Sequence, residues 1–140
     1  VQHATLKGCR IDVSQIPDLM PILCIVASMA KGKTEIYNAA RLRIKESDRL
    51  SAMADCLHQL GIRAEESQDG ITIYGRENTE QIPKEIQIDA CNDHRIVMSA
   101  AVGAIVLGLE VTILGAEAVA KSYPAFFAEF IRLGGGADVL

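Results

Sequence analysis

Apolar and polar positions change period several times along the chain. Residues 11–13 form a short strand candidate, and after Pro17 an apolar stretch over residues 18–30 shows almost no polar face before Gly32 closes it. That pattern predicts a helix buried on most sides. Residues 34–38 alternate as a strand does. After a basic loop, Leu50, Met53, Ala54, Leu57 and Leu60 recur at spacings of three and four up to Gly61, which predicts an amphipathic helix. Residues 62–66 and 71–74 flank Gln68-Asp69-Gly70, whose Asp-Gly pair predicts the turn of a hairpin. A polar connection over residues 75–84 leads to a strand at 85–88. A capped helix then starts at Asn92 or Asp93 and runs to Leu107 with a stop at Gly108, and a strand follows at 111–114. The last helix is expected after Ser122, with Pro124 in its first turn and a stop at Gly134-Gly135-Gly136.

The second part of this pattern repeats the first. An ungapped offset of 76 residues places Asp18 on His94, Gly32 on Gly108 and Lys45 on Lys121. Each unit reads as strand, buried helix, strand, amphipathic helix, strand, with boundaries at about 10–84 and 85–140. The leading helix of each unit is apolar nearly all round while the strands alternate. The expected fold class is therefore α/β, an inside-out arrangement with buried helices and outer sheets wetted on one face.

Composition narrows the function classes. With 49% hydrophobic and 23% charged residues, the chain can bury a core and is not a disordered segment. A net charge of -4 supplies no general basic field for nucleic acid or an anionic membrane, so any bound anion needs a local site. The two longest apolar runs, 19–30 and 96–107, are each 12 residues, too short to span a bilayer. Cys9, Cys24, Cys56 and Cys91 include no CxxC pair and read as free thiols of a reducing cytoplasm. The first residues form neither an apolar core nor a basic leader, and the lack of an initial Met points to a processed product or a piece of a longer chain.

The candidate chemistry lies in charge placed against the helix dipole. Arg49, Arg95 and Lys121 fall at expected helix starts, where peptide N–H groups already carry partial positive charge. Each is destabilising by about 0.3–1 kcal/mol unless an anion or a local carboxylate compensates it. The local candidates are Glu46 or Asp48 for Arg49, and Asp93 for Arg95. Two further carboxylates suit proton transfer: Asp18, held ionised by its helix start as a base, and Glu46, which a partly buried position over a ligand would hold protonated as an acid. His94 suits an acid, a base or, the favoured reading, a hydrogen-bonded residue of a capping turn, and Ser47 and Ser122 read as N-caps. His3, His58 and His94 lie far apart without a second ligand at helical or hairpin spacing, so no metal site is expected. Gly32-Lys33-Thr34 imitates the end of a P-loop, but Ala27 stands where the earlier glycine is required.

Four segments, Ile16-Pro17-Asp18, Arg43-Ile44-Lys45-Glu46-Ser47-Asp48-Arg49-Leu50, Asn92-Asp93-His94-Arg95 and Ala120-Lys121-Ser122-Tyr123-Pro124, together resemble the EPSP synthase family of enolpyruvyl transferases. The resemblance covers nearly the whole chain but only the C-terminal part of that enzyme. It implies an inside-out α/β domain and a reaction in which the carboxyvinyl group of phosphoenolpyruvate moves to the 5-hydroxyl of 3-phosphoshikimate, with release of phosphate. No cofactor or metal is implied, and the missing N-terminal part of the same enzyme would complete both substrate sites. By motif, Asp18 resembles the residue that takes the 5-hydroxyl proton and Glu46 the one that protonates the methylene carbon. Lys45 resembles a 3-phosphoshikimate ligand, and Arg49, Arg95 and Lys121 resemble the cations that hold phosphoenolpyruvate. Arg41 departs from relatives that carry Asn there. The alternatives are a related transferase acting on UDP-N-acetylglucosamine, which the 45–49 motif disfavours, and a non-catalytic anion-binding module.

Overall fold

A computed structural model describes residues 4–75 and 82–138; His3 and most of the polar connection lie outside them. The chain folds into two sheets with helices beneath them. β1 (Arg10–Asp12), β2 (Lys33–Tyr37), β3 (Ala64–Ser67) and β4 (Gly70–Tyr74) form one sheet in the order β1-β2-β4-β3. β1 and β2 are parallel and the remaining pairs antiparallel. β5 (Gln87–Asp89) and β6 (Thr112–Leu114) form a second, parallel pair. The helices are α1 (Met20–Ser28), α2 (Arg49–Gln59), α3 (His94–Leu107) and α4 (Phe126–Arg132).

Strand alternation decides which face is covered. Thr34 and Ile36 of β2 and Ile71 and Ile73 of β4 are buried, while Lys33, Arg10 and Asp12 face outward. Met20, Cys24 and Ile25 of α1, Met53 and Leu57 of α2, and Ile96, Val97 and Ala100 of α3 meet those strand side chains in one core. Helices inside and sheets outside is thus the observed layering. Both leading helices keep an open flank: Val26 on α1 and Ile105 and Val106 on α3 are exposed.

The two parallel pairs share one register. Arg10 pairs with Glu35 and Gln87 with Thr112, and both partners stand 77 residues further on in the second pair. Gly32 and Gly108, both left-handed, stand 76 apart. The second segment is one residue shorter before its glycine and one longer after it.

Several boundaries differ from the sequence pattern for local reasons. Pro17 begins a 3-10 turn, Pro17–Leu19, and α1 proper starts only at Met20. Pro124 lies just ahead of α4, whose N-cap Ala125 makes no side-chain cap, so Ser122 caps nothing there. The hairpin turn consists of Gln68 and Asp69, since Ser67 pairs with Gly70, and Gly70 has no positive φ. Gly70 is required by close approach instead: a Cβ there would run into the carbonyl oxygen of Ile36. Gly70→Ala is expected to destabilise the chain by about 1–3 kcal/mol, read from the urea midpoint.

Candidate active site

Three chain segments meet at one carboxylate. Asp18, on the 3-10 turn ahead of α1, accepts from Arg49 Nη1 at 2.8 Å through Oδ1 and from Arg95 Nη2 at 3.2 Å through Oδ2. Its carbonyl oxygen accepts from Arg95 Nη1 at 3.1 Å, and Lys45 Nζ stands 3.9 Å from Oδ1. The first residues of α2 and α3 supply the two arginines, and the loop before α2 supplies the lysine. Partial burial raises the pKa of Asp18, but the Arg49 hydrogen bond and the charges of Arg95, Arg49 and Lys45 outweigh it. The carboxyl is held below its ordinary value. Three cations keep Asp18 ionised, where the sequence pattern pointed to a helix start.

Arg49 is the buried hub. Its side chain is 1% exposed, and its Nε donates to Asp93 Oδ2 at 2.7 Å while Nη2 donates to Glu46 Oε2 at 2.8 Å. Of the local partners expected for Arg49, Glu46 is found. Asp48 is not, because it caps α2 by accepting from Ser51 N and pairs with Arg43. Ser47 is therefore not the N-cap; its hydroxyl donates to Asp93 at 3.0 Å. Asp93 touches Arg95 only through the backbone N–H, and the Arg95 guanidinium goes to Asp18. The cations at these helix starts are thus compensated by Asp18 and Asp93 from distant segments and, for Arg49, by local Glu46 as well.

Lys121 ends a 3-10 helix, Ala116–Lys121, rather than starting one, so the dipole argument does not apply to it. Its ammonium donates to the Asn92 carbonyl, one residue from Asp93, and it makes no ion pair among the described residues. His94 is 6% exposed, and its Nδ1 has no hydrogen-bond partner among the described residues, unlike the hydrogen-bonded capping residue expected. Arg41 is exposed and makes no hydrogen bond or ion pair among the described residues. No group of three His, Cys, Asp or Glu side chains among them is arranged to hold a metal ion. No helix among them is long and apolar enough to cross a membrane.

Asp93 is the residue that sequence reasoning undervalued, weighing it as a candidate cap, which it is, and as a partner for Arg95 but not for Arg49. It is fully buried, accepts from Arg49, Ser47 and the Arg95 N–H, and caps α3. Burial raises its pKa, but the Arg49 hydrogen bond, the Arg95 N–H and the Arg49 charge together lower it below the ordinary 3.8. A folded-state pKa below the unfolded one means stability present above the unfolded value and lost as pH falls through the folded one. Stability should therefore decline as pH drops below 3.8, and Asp93→Asn should flatten that acid limb of the urea midpoint.

The model of the family described as EPSP synthase (3-phosphoshikimate 1-carboxyvinyltransferase) matches residues 1–130. The chain belongs to the EPSP synthase family. The 3-phosphoshikimate 1-carboxyvinyltransferase of Clostridium acetobutylicum is 49% identical over 128 residues, which cover 91% of this chain and 29% of that protein. The Methanocella arvoryzae protein of the same name is 44% identical over 139 residues, 99% of this chain and 32% of its own length. The solved EPSP synthase of Acinetobacter baumannii superimposes with a TM-score of 0.77 at 34% identity, covering 97% of this chain and 31% of that one. The enolpyruvyl transferase NikO from Streptomyces tendae, at 18% identity and a TM-score of 0.74, shares the fold. The chain spans about 30% of the length of these EPSP synthase relatives.

Proposed function

We propose that the chain is the C-terminal part of an EPSP synthase, residues 1–140 forming two repeated units at about 10–84 and 85–140. The whole enzyme would transfer the carboxyvinyl group of phosphoenolpyruvate to the 5-hydroxyl of 3-phosphoshikimate. The observation that carries this reading is the convergence of Lys45 and Arg49 from one segment and Arg95 from another on Asp18.

The chemistry divides between the two carboxylates. Asp18, ionised and oriented by two guanidinium groups, takes the proton of the attacking hydroxyl as its oxygen bonds to the carbon bearing phosphate. Glu46 gives a proton to the methylene carbon, and the tetrahedral adduct then returns a proton from that carbon to the Glu46 carboxylate and releases phosphate to restore the double bond. Arg95 and Lys45 are each about one-third exposed. Of the five N–H donors of a guanidinium, Arg95 commits two to Asp18 and keeps others for an anion. Glu46 accepts an Arg49 N–H. A substrate carboxylate that takes this N–H frees a Glu46 oxygen to pick up a proton from solvent, to which 41% of its side chain is exposed, and pass it on, and Lys121 approaches the same ligand from beside Asn92. Charges fixed in advance around the adduct stabilise it without reorganisation.

The test is a full-length transferase in which this chain replaces the matching segment of the Clostridium acetobutylicum protein. Phosphate release is expected with phosphoenolpyruvate and 3-phosphoshikimate, and none with UDP-N-acetylglucosamine as acceptor. The isolated chain is expected to make no product; activity of the chain alone, or an inactive chimera, contradicts the reading.

A further inference from the structure

We propose that Arg43 is a positioning residue, a brace that sets Lys45 and Glu46 by tying their loop to the β3–β4 hairpin. The proposal rests on the transferase reading of those two side chains. Its three guanidinium nitrogens reach three different places. Nη1 donates to Asp48 Oδ2 at 2.8 Å, Nε to the Gln68 carbonyl at 3.0 Å, and Nη2 to the Ser67 carbonyl. Asp48 in turn caps α2 through Oδ1, so one aspartate joins the brace to the start of the helix that carries Arg49. The hairpin turn grips the same loop upstream: Ala39 N donates to the Asp69 carbonyl and Ala40 N to Asp69 Oδ1, both at 2.9 Å.

Packing stops short of this loop: Leu42, one residue before Arg43, is fully buried and anchors the preceding turn. Residues 45–48 have no regular secondary structure, and the neighbouring apolar side chain, Ile44, is 85% exposed. Glu46 to Arg49 and Ser47 to Asp93 tie the loop to the site itself. Among the described residues, Arg43 and the hairpin turn supply the hydrogen bonds that tie it to the sheet scaffold. A guanidinium suits this role because it presents donors in a fixed planar fork, whereas an ammonium is a single point charge. Displacement of reacting groups by about 1 Å is enough to lower turnover about 100-fold.

The experiment compares R43Q, R43K and D48N in the full-length chimera. Asn serves as an N-cap about as well as Asp, so D48N removes the charge pair with Arg43 while keeping α2 capped. R43Q and D48N are each expected to lower kcat about 10- to 100-fold at saturating substrate, to raise the KM for 3-phosphoshikimate, and to be non-additive when combined. R43K should fall between R43Q and the parent. A rise in KM with kcat unchanged would make Arg43 a substrate ligand and overturn the proposal, as would unchanged kcat and KM well below the melting temperature. If the parent chimera is inactive, the transferase reading fails instead, and amide spectra of this chain decide the brace. Both substitutions should move the resonances of residues 44–48 and leave those of 96–100 in place. Unmoved loop resonances would overturn it.

Discussion

Glu46→Gln in the full-length chimera is expected to lose about 10²- to 10⁴-fold in turnover while still binding phosphoenolpyruvate. Gln has nearly the shape of Glu and retains a side-chain oxygen that can accept from Arg49 Nη2, so the site around Asp18 and Asp93 should persist. What it lacks is a proton of suitable acidity for the methylene carbon. Steady-state turnover together with equilibrium binding of phosphoenolpyruvate separates the two effects. Turnover equal to the parent's would remove Glu46 from the mechanism; lost binding would make it a structural partner of Arg49.

Arg49→Met should produce the largest loss of stability, about 3–5 kcal/mol in the urea unfolding of this chain. Arg49 is 1% exposed and faces Asp93, which is fully buried. Its removal leaves Asp93 with only the Ser47 hydroxyl and the Arg95 N–H as donors. The penalty is that of an uncompensated buried charge, more than that of a lost contact. The double variant Arg49→Met with Asp93→Leu should therefore be more stable than Arg49→Met alone, although it gives up the α3 cap, worth about 1 kcal/mol. A loss below 1 kcal/mol for Arg49→Met would show that the pair is solvated in solution.

The helices and strands were legible because period follows burial: the spacing of Leu50, Met53, Leu57 and Leu60 is the buried face of α2, and Ile71 and Ile73 are the inward positions of β4. Element ends were less legible where the chain uses geometry that no pattern announces. Gly70 read as part of the hairpin turn, yet it opens β4 and is glycine because β4 passes close to the Ile36 carbonyl. Lys121 read as a helix start because Pro124 follows, but the helix begins at Phe126. In the site, Asp18, Lys45, Glu46, Arg49 and Arg95 were all singled out from sequence. The local Glu46–Arg49 pair was also among the expected ones, but the long-range pairing was not, because a guanidinium's partner depends on tertiary placement: Arg95 reaches back 77 residues to Asp18 and Arg49 reaches forward 44 to Asp93. Arg43 carried no signal beyond its place in the 43–50 motif, since its partners Ser67 and Gln68 offer only backbone carbonyls.

On the transferase reading, the cations gathered on Asp18 receive an anionic substrate. Equilibrium binding of phosphoenolpyruvate to the chimera, in the presence of 3-phosphoshikimate and over a series of salt concentrations, tests it most directly when the parent is compared with Arg95→Ala. Arg95→Ala is expected to bind at least tenfold more weakly, equivalent to about 1.4 kcal/mol, and with a shallower salt dependence. Equal affinity and equal salt dependence in the two proteins would contradict it.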